Sequence, residues 1–120
     1  MPRPEGRDST VESRPSWQTD ACPPWCVGGH GELDHPDDRV HRSRSVVVPV
    51  VARHTWFEGA LLRRSADAVD FDVAISQVDG ESDIWLYVGA GPAASIEVTL
   101  ESAERLVRAI GEVAALGRDS

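Results

Sequence analysis

The sequence predicts an α+β domain: a small, mainly antiparallel sheet of three to four strands with one C-terminal helix, preceded by an irregular Cys/His arm. Three observations lead there. Short β-rich runs succeed one another from residue 45, a periodic helical stripe begins at residue 100, and both cysteines crowd with three of the four histidines into residues 21–44. Strands first and a helix last argue for an antiparallel sheet with the helix on one face. At 120 residues and 13.0 kDa the chain is the size of one small domain.

Taken in order, residues 1–20 hold only Met1, Val11 and Trp17 as appreciably apolar positions, among Pro, Ser, Arg and acids. Such a segment buries too little surface to offset its ordering entropy, so it is expected to be a disordered tail. Residues 21–44 form the arm, where Pro23, Pro24, Gly28, Gly29, Gly31 and Pro36 exclude a regular helix or central strand. The fold is expected over residues 45–117. Val46-Val47-Val48-Pro49-Val50-Val51 reads as a strand over 45–52, at an edge because Pro49 lacks a ladder donor. Residues 54–68 send mixed signals: Trp56 and Phe57 favour strand, Gly59 and the Arg63-Arg64 pair favour a turn. Phe71, Val73 and Ile75 alternate with Asp72, Ala74 and Ser76, giving a strand over 70–78. Asp79-Gly80 is a hairpin signal, followed by strands over 83–89 and 95–99. Thr99 is placed to cap a helix over 100–116, and Gly117 to end it. Ala103, Leu106, Val107, Ile110, Val113 and Ala114 make one apolar stripe. That stripe is expected to pack on Phe71, Val73, Ile75, Ile84, Leu86 and Val88.

Composition narrows the function. Twenty acidic against 12 basic residues give a net charge of −8, which argues against a nucleic-acid backbone or an anionic membrane as main partner. No run approaches the roughly 18 apolar residues of a membrane span, and the first residues lack the apolar core of a secretory signal, so a cytoplasmic location is expected. All basic residues are Arg, and Lys and Asn are absent, the mark of a GC-rich genome such as those of actinobacteria. None of the short motifs of serine hydrolases, P-loops, dinucleotide folds or zincins occurs.

The chemistry sits in the arm. Cys22, Cys26, His30, His35 and His41 follow the pattern C-x3-C-x3-H-x4-H-x5-H. Thiolate and imidazole are the donors Zn²⁺ takes in four-coordinate sites, and the interspersed glycines and prolines let a short backbone wrap around one ion. A Cys22–Cys26 disulfide, free thiols in an unstructured arm, and solvated surface histidines are the competing readings. Cys22, Cys26 and His30 would supply three ligands. For the fourth, His41 is favoured over the alternative His35, because His35 precedes Pro36 in an acidic turn while His41 lies just ahead of the first expected strand, where ligation would fasten arm to sheet.

The same segment carries a resemblance. Cys-Pro-Pro-Trp-Cys-Val-x-x-His and the later His-Arg-Ser resemble an uncharacterised actinobacterial family of small acidic proteins, chiefly from Streptomyces, with a Cys-Pro-x-Trp-Cys-x3-His arm. Its C-terminal Thr-Leu-x-x-Ala-x-x-Leu helix is matched by Thr99, Leu100, Ala103 and Leu106. The resemblance implies a shared fold and a shared metal site at Cys22, Cys26, His30 and His41. It implies no activity.

The expected function is a non-catalytic interaction or regulatory module with a structural zinc ion and a protein partner, no catalytic residue being named. Trp85 and Tyr87, on the strand face opposite Ile84 and Leu86, would either pack under the arm or form an interaction patch. The alternative is a small metal-dependent hydrolase or redox protein using the Cys/His cluster.

Overall fold

Strand propensity and turn chemistry account for most of the backbone. The computed structural model describes residues 14–19 and 21–119. The β-branched run opens strand β2 (Val46–Glu58), and Gly59, at φ 65°, turns the chain into β3 (Leu61–Val78). Both mixed signals in residues 54–68 are therefore realised: Trp56 and Phe57 continue the strand, and Gly59 makes the turn. Val46 faces Val73 and Glu58 faces Leu61 in this antiparallel pair. A short strand β1 (Val40–Arg42) lies on the same edge of β3, with His41 opposite Gln77. On the other edge β4 (Trp85–Gly89) pairs with residues 72–76 of β3, and β5 (Ser95–Thr99) pairs with β4. The fold is thus α+β, with a mainly antiparallel sheet and one C-terminal helix, α1 (Leu100–Asp119). The sheet has five strands rather than three or four, because β1 is too short to announce itself by alternation.

Between β1 and β2 the chain bulges. Residues 43–45 stand opposite only residues 74 and 75 of β3. The amide of Ser43 donates to the Ile75 carbonyl, and the Ile75 amide donates to Ser43 Oγ, both at 3.0 Å. One extra residue reverses the alternation. His41 and Val46, an odd number of residues apart, therefore point to the same side.

Directly opposed residues share a face, so the register defines both sides of the sheet. One carries His41, Val46, Val48, Val50, Val69, Phe71, Val73, Ile75, Leu86, Val88, Ile96 and Val98, with no charge over that stretch. The other carries Asp70, Asp72, Trp85, Tyr87 and Glu97. Pro49 sits on β2, which has β3 as its partner on one side, as its missing donor requires. Residues 61–71 of β3 pair with β2 alone, so the hairpin projects as a two-stranded ribbon of roughly 36 Å.

Two expectations about the C-terminal half are corrected. The Asp79-Gly80 turn does not close a tight hairpin: the return strand starts at Trp85, and residues 79–84 form the connection. The helix does not lie on the sheet. Thr99 Oγ1 accepts the Ser102 amide at 3.2 Å and caps α1, which runs through Gly117 to Asp119. Yet Ala103 is its buried residue, while Leu106, Val107, Ile110 and Val113 are 41–69% exposed. The stripe therefore does not pack on Phe71, Val73, Ile75, Ile84, Leu86 and Val88. The reason is connectivity: β5 ends at Thr99 and α1 begins at Leu100, so no linker folds the helix back across the face. It touches β4 and β5 and then leaves them. The radius of gyration is 20.2 Å, against about 14 Å for a compact chain of this length. No helix among the described residues is long and apolar enough to cross a membrane.

Candidate metal centre

The arm is built from turns that aim side chains at one point. The Cys26 amide donates to the Pro23 carbonyl at 3.0 Å, closing a turn over Pro24 and Trp25 that brings Cys22 and Cys26 to the same side. The Val27 amide donates to the Arg42 carbonyl at 2.9 Å and ties this turn to β1. Gly28 follows at φ 82°, which suits glycine, and its amide turns back onto Cys26 Sγ at 3.3 Å. His30 comes next, its Nε2 3.5 Å from Cys26 Sγ. His41 arrives from β1, its ring edge-on to His30 with centroids 5.0 Å apart.

Cys22, Cys26, His30 and His41 each offer a ligand atom, all within 4.8 Å of one another, and together could hold a metal ion. Both cysteines are free thiols. His35 stands apart: its side chain is 67% exposed, and its Nδ1 accepts the Asp37 amide at 3.1 Å, capping the short 3-10 turn Pro36–Asp38.

The donor set passes a further test. His41 Nε2 lies 3.0 Å from Asp79 Oδ1, with both side chains nearly closed to solvent at 4% and 5% exposure. An ionised carboxylate only accepts, so Nε2 carries the proton, and in the neutral ring Nδ1 is left as a lone-pair donor. That Nδ1 is buried and has no hydrogen-bond partner among the described residues. A buried imidazole held by a carboxylate on one nitrogen and open on the other is how a metal-ligating histidine is oriented. The second oxygen of Asp79 accepts the Thr19 amide at 2.8 Å. Burial alone would raise the Asp79 carboxyl, but the Thr19 amide and His41 outweigh it and hold the group below the usual carboxylate range.

In the sequence Asp79 reads as a turn residue, and no local signal marks its role. It lies 38 residues from His41 and reaches it because β1 pairs with the end of β3. The expected tail of residues 1–20 falls mostly outside the described residues; residues 14–19 are described, and they lie on the cluster. Trp17 donates its Nε1–H to the Gly31 carbonyl at 2.8 Å and meets the His30 ring edge-on at 5.5 Å. The Arg39 guanidinium sits 5.5 Å from the Trp17 ring, a cation–π distance. Gln18 Nε2 lies 3.5 Å from Cys22 Sγ, and Ser16 hydrogen-bonds Glu32 through both its amide and its hydroxyl. One short segment thus touches His30, Cys22 and Asp79 in three successive residues.

The two thiols differ. For Cys26, burial pushes the thiol up, but the Gly28 amide, the Arg42 backbone and the neighbouring imidazoles of His41 and His30 prevail and lower it from 9.0 to about 6. Cys22 is raised above 9.0, by burial and by its neighbour Cys26. The thiolate is the reactive form. In metal-free protein at neutral pH, iodoacetamide should therefore modify Cys26 well before Cys22, as read by peptide mass mapping, and the preference should fade below pH 6. Faster modification of Cys22 would contradict this electrostatic picture.

Trp85 and Tyr87 lie on the opposite face of the sheet from His41, so they do not pack under the arm. Both are half-buried, and the Tyr87 hydroxyl accepts the Gly91 amide at 3.0 Å. Tyr87 borders a shallow cavity of about 300 Å³ with Arg42, Ser43 and Glu97.

Neither a curated protein nor a solved structure shows a significant match to this chain. One family does match, over residues 6–119, which takes in the cluster, the sheet and the helix together. The chain belongs to that family, described as a domain of unknown function, DUF6907.

Proposed function

We propose that the chain is a non-catalytic interaction module whose N-terminal arm is ordered by one structural Zn²⁺ held by Cys22, Cys26, His30 and His41. The observation that carries this reading is the buried Nδ1 of His41, without a hydrogen-bond partner among the described residues, beside the three other donors. Two thiolates and two imidazoles suit zinc in a tetrahedral site, and four protein ligands leave no position for the water a catalytic zinc needs. The module is small and its core is thin, so an ion worth about 10–16 kcal/mol in folded zinc fingers would dominate its stability. A reduced cytoplasm would keep both thiols available. The partner-facing surface proposed is the Trp85–Tyr87 pair, an aromatic spot among charges on the open face.

Native mass spectrometry after purification in zinc-containing buffer tests the reading. One zinc per chain, bound with loss of the two thiol protons, is the expected mass. A chain two hydrogens lighter than the sequence and free of metal would mean a disulfide and overturn it. Metal-dependent turnover abolished by a ligand substitution would favour the hydrolase alternative.

A further inference from the structure

Two apolar surfaces of this chain match each other and do not meet. The first is the sheet face that is uncharged from Val46 to Val50, on which Val46, Val48 and Ile96 remain 46%, 38% and 57% exposed; Trp56 and Leu61, at 39% and 61%, lie farther along the same face of the ribbon, among Asp67, Arg63 and Glu58. The second is the helix stripe, with Val107, Ile110, Val113 and Leu116 at 64–69%. Sheet faces of this kind are covered by helices, and amphipathic helices are covered by such faces. In this chain the helix leaves the sheet directly after β5, and its stripe stays exposed.

We propose that a second copy of the chain supplies the cover: α1 of each protomer packs across the uncharged sheet face of the other. Three features select a second copy over a foreign protein. Each chain carries one helix to give and one face to fill, so reciprocal exchange closes with two-fold symmetry and leaves neither surface over. The dimensions agree, since a 20-residue helix is about 30 Å long and the ribbon roughly 36 Å. The area agrees as well. The five sheet-face side chains just named, together with Leu106 and the four helix residues, average about 55% exposure; at about 100 Å² each they present roughly 550 Å² of apolar surface per chain. That is close to the apolar share of the ~800 Å² one partner brings to a standard interface. The ribbon gives an independent reason. A two-stranded hairpin standing alone in water is marginal, and this one is stabilised once a helix lies along it. An open cleft of about 530 Å³ between Trp25 and Val27 of the arm and Val46, Val73 and Ile75 of the sheet receives the end of the incoming helix. The sheet face also carries His41 and the cleft is lined by Cys26, so the end of the incoming helix lies beside the proposed metal site; the dimer is tested apart from the zinc reading by substitutions at Val48 and Ile110, neither of which is a proposed ligand.

The test is the solution mass of the full chain, with zinc present, by sedimentation equilibrium. The expected species has twice the 13.0 kDa chain mass. Because each chain carries a charge of −8, association should tighten as salt is added. Val48→Glu on the covered face and Ile110→Glu on the helix should each weaken the dimer by roughly 100-fold or more, since each buries a lone carboxylate. Val47→Glu, one residue along the same strand but on the opposite face, should leave it unchanged. An equimolar mixture of the Val48→Glu and Ile110→Glu variants should recover dimers, because the intact helix of one meets the intact face of the other and rebuilds one of the two contacts. Recovery supports the exchange; a mixture that stays monomeric overturns it, as does wild-type protein that stays at 13.0 kDa. Should the variants fail to fold by circular dichroism, hydrogen exchange of the wild type decides. Amides of residues 46–58 must become more protected as protein concentration rises, and protection that does not change overturns the proposal.

Discussion

His41→Ala should release the metal and loosen the arm and β1 together, whereas His35→Ala should retain the ion. The two histidines lie six residues apart but in different environments: His41 is 3% exposed beside the other three donors, and His35 caps an exposed turn. Removing His41 deletes one of the four proposed ligands and leaves the buried Asp79 Oδ1 without its imidazole partner. The first loss forfeits most of a binding free energy on the order of 10–16 kcal/mol, and the second adds about 1–3 kcal/mol for an unsatisfied buried polar group. Competition with a chromogenic chelator measures the first effect, and hydrogen exchange at Val27 and residues 40–42 the second. Zinc retained by His41→Ala but lost from His35→Ala would reject the ligand set. Retention by both would indicate a site with an open position.

Asp79→Ala should weaken metal binding by about 10–100-fold, the usual loss when the carboxylate behind a ligating histidine is removed. It should also free residues 14–19, because Asp79 receives the Thr19 amide as well as His41. The fluorescence of Trp17 and exchange of the Thr19 amide read the second effect separately from metal loss. Asp79→Asn should fall between wild type and Asp79→Ala, since its amide oxygen still accepts from His41 Nε2 while its NH₂ cannot accept from Thr19. The sign with pH follows from the depressed Asp79 carboxyl. Its folded-state ionisation lies below the unfolded value, so its contribution is complete above about pH 4 and is lost as pH falls through the folded value. Equal affinity in wild type and Asp79→Ala would show that the carboxylate does not orient the ligand.

Much of this protein is readable along the chain because the relevant forces act over a few residues. The strand at Phe71–Ile75 follows from alternation, the edge position of Pro49 from its missing donor, and the start of α1 from Thr99, whose hydroxyl meets the Ser102 amide only three residues on. The grouping of Cys22, Cys26 and His30 belongs to the same class, since two tight turns suffice to gather them. Other features depend on separations that no local pattern encodes. The His41–Asp79 pair spans 38 residues and exists because β1 adds to the end of β3. The bulge at residues 43–45 shifts the face of everything before it by one residue, so alternation read through it puts His41 on the wrong side. Trp17 looks like a stray aromatic in a polar tail until Gly31 and His30 are placed beside it. The helix shows the limit most clearly. Periodicity establishes that Leu106, Ile110 and Val113 form a surface suited to burial, but a hydrophobic stripe is non-directional and does not name its partner. The junction of β5 and α1, which carries the helix off the sheet within one residue, is what leaves that stripe uncovered in the single chain.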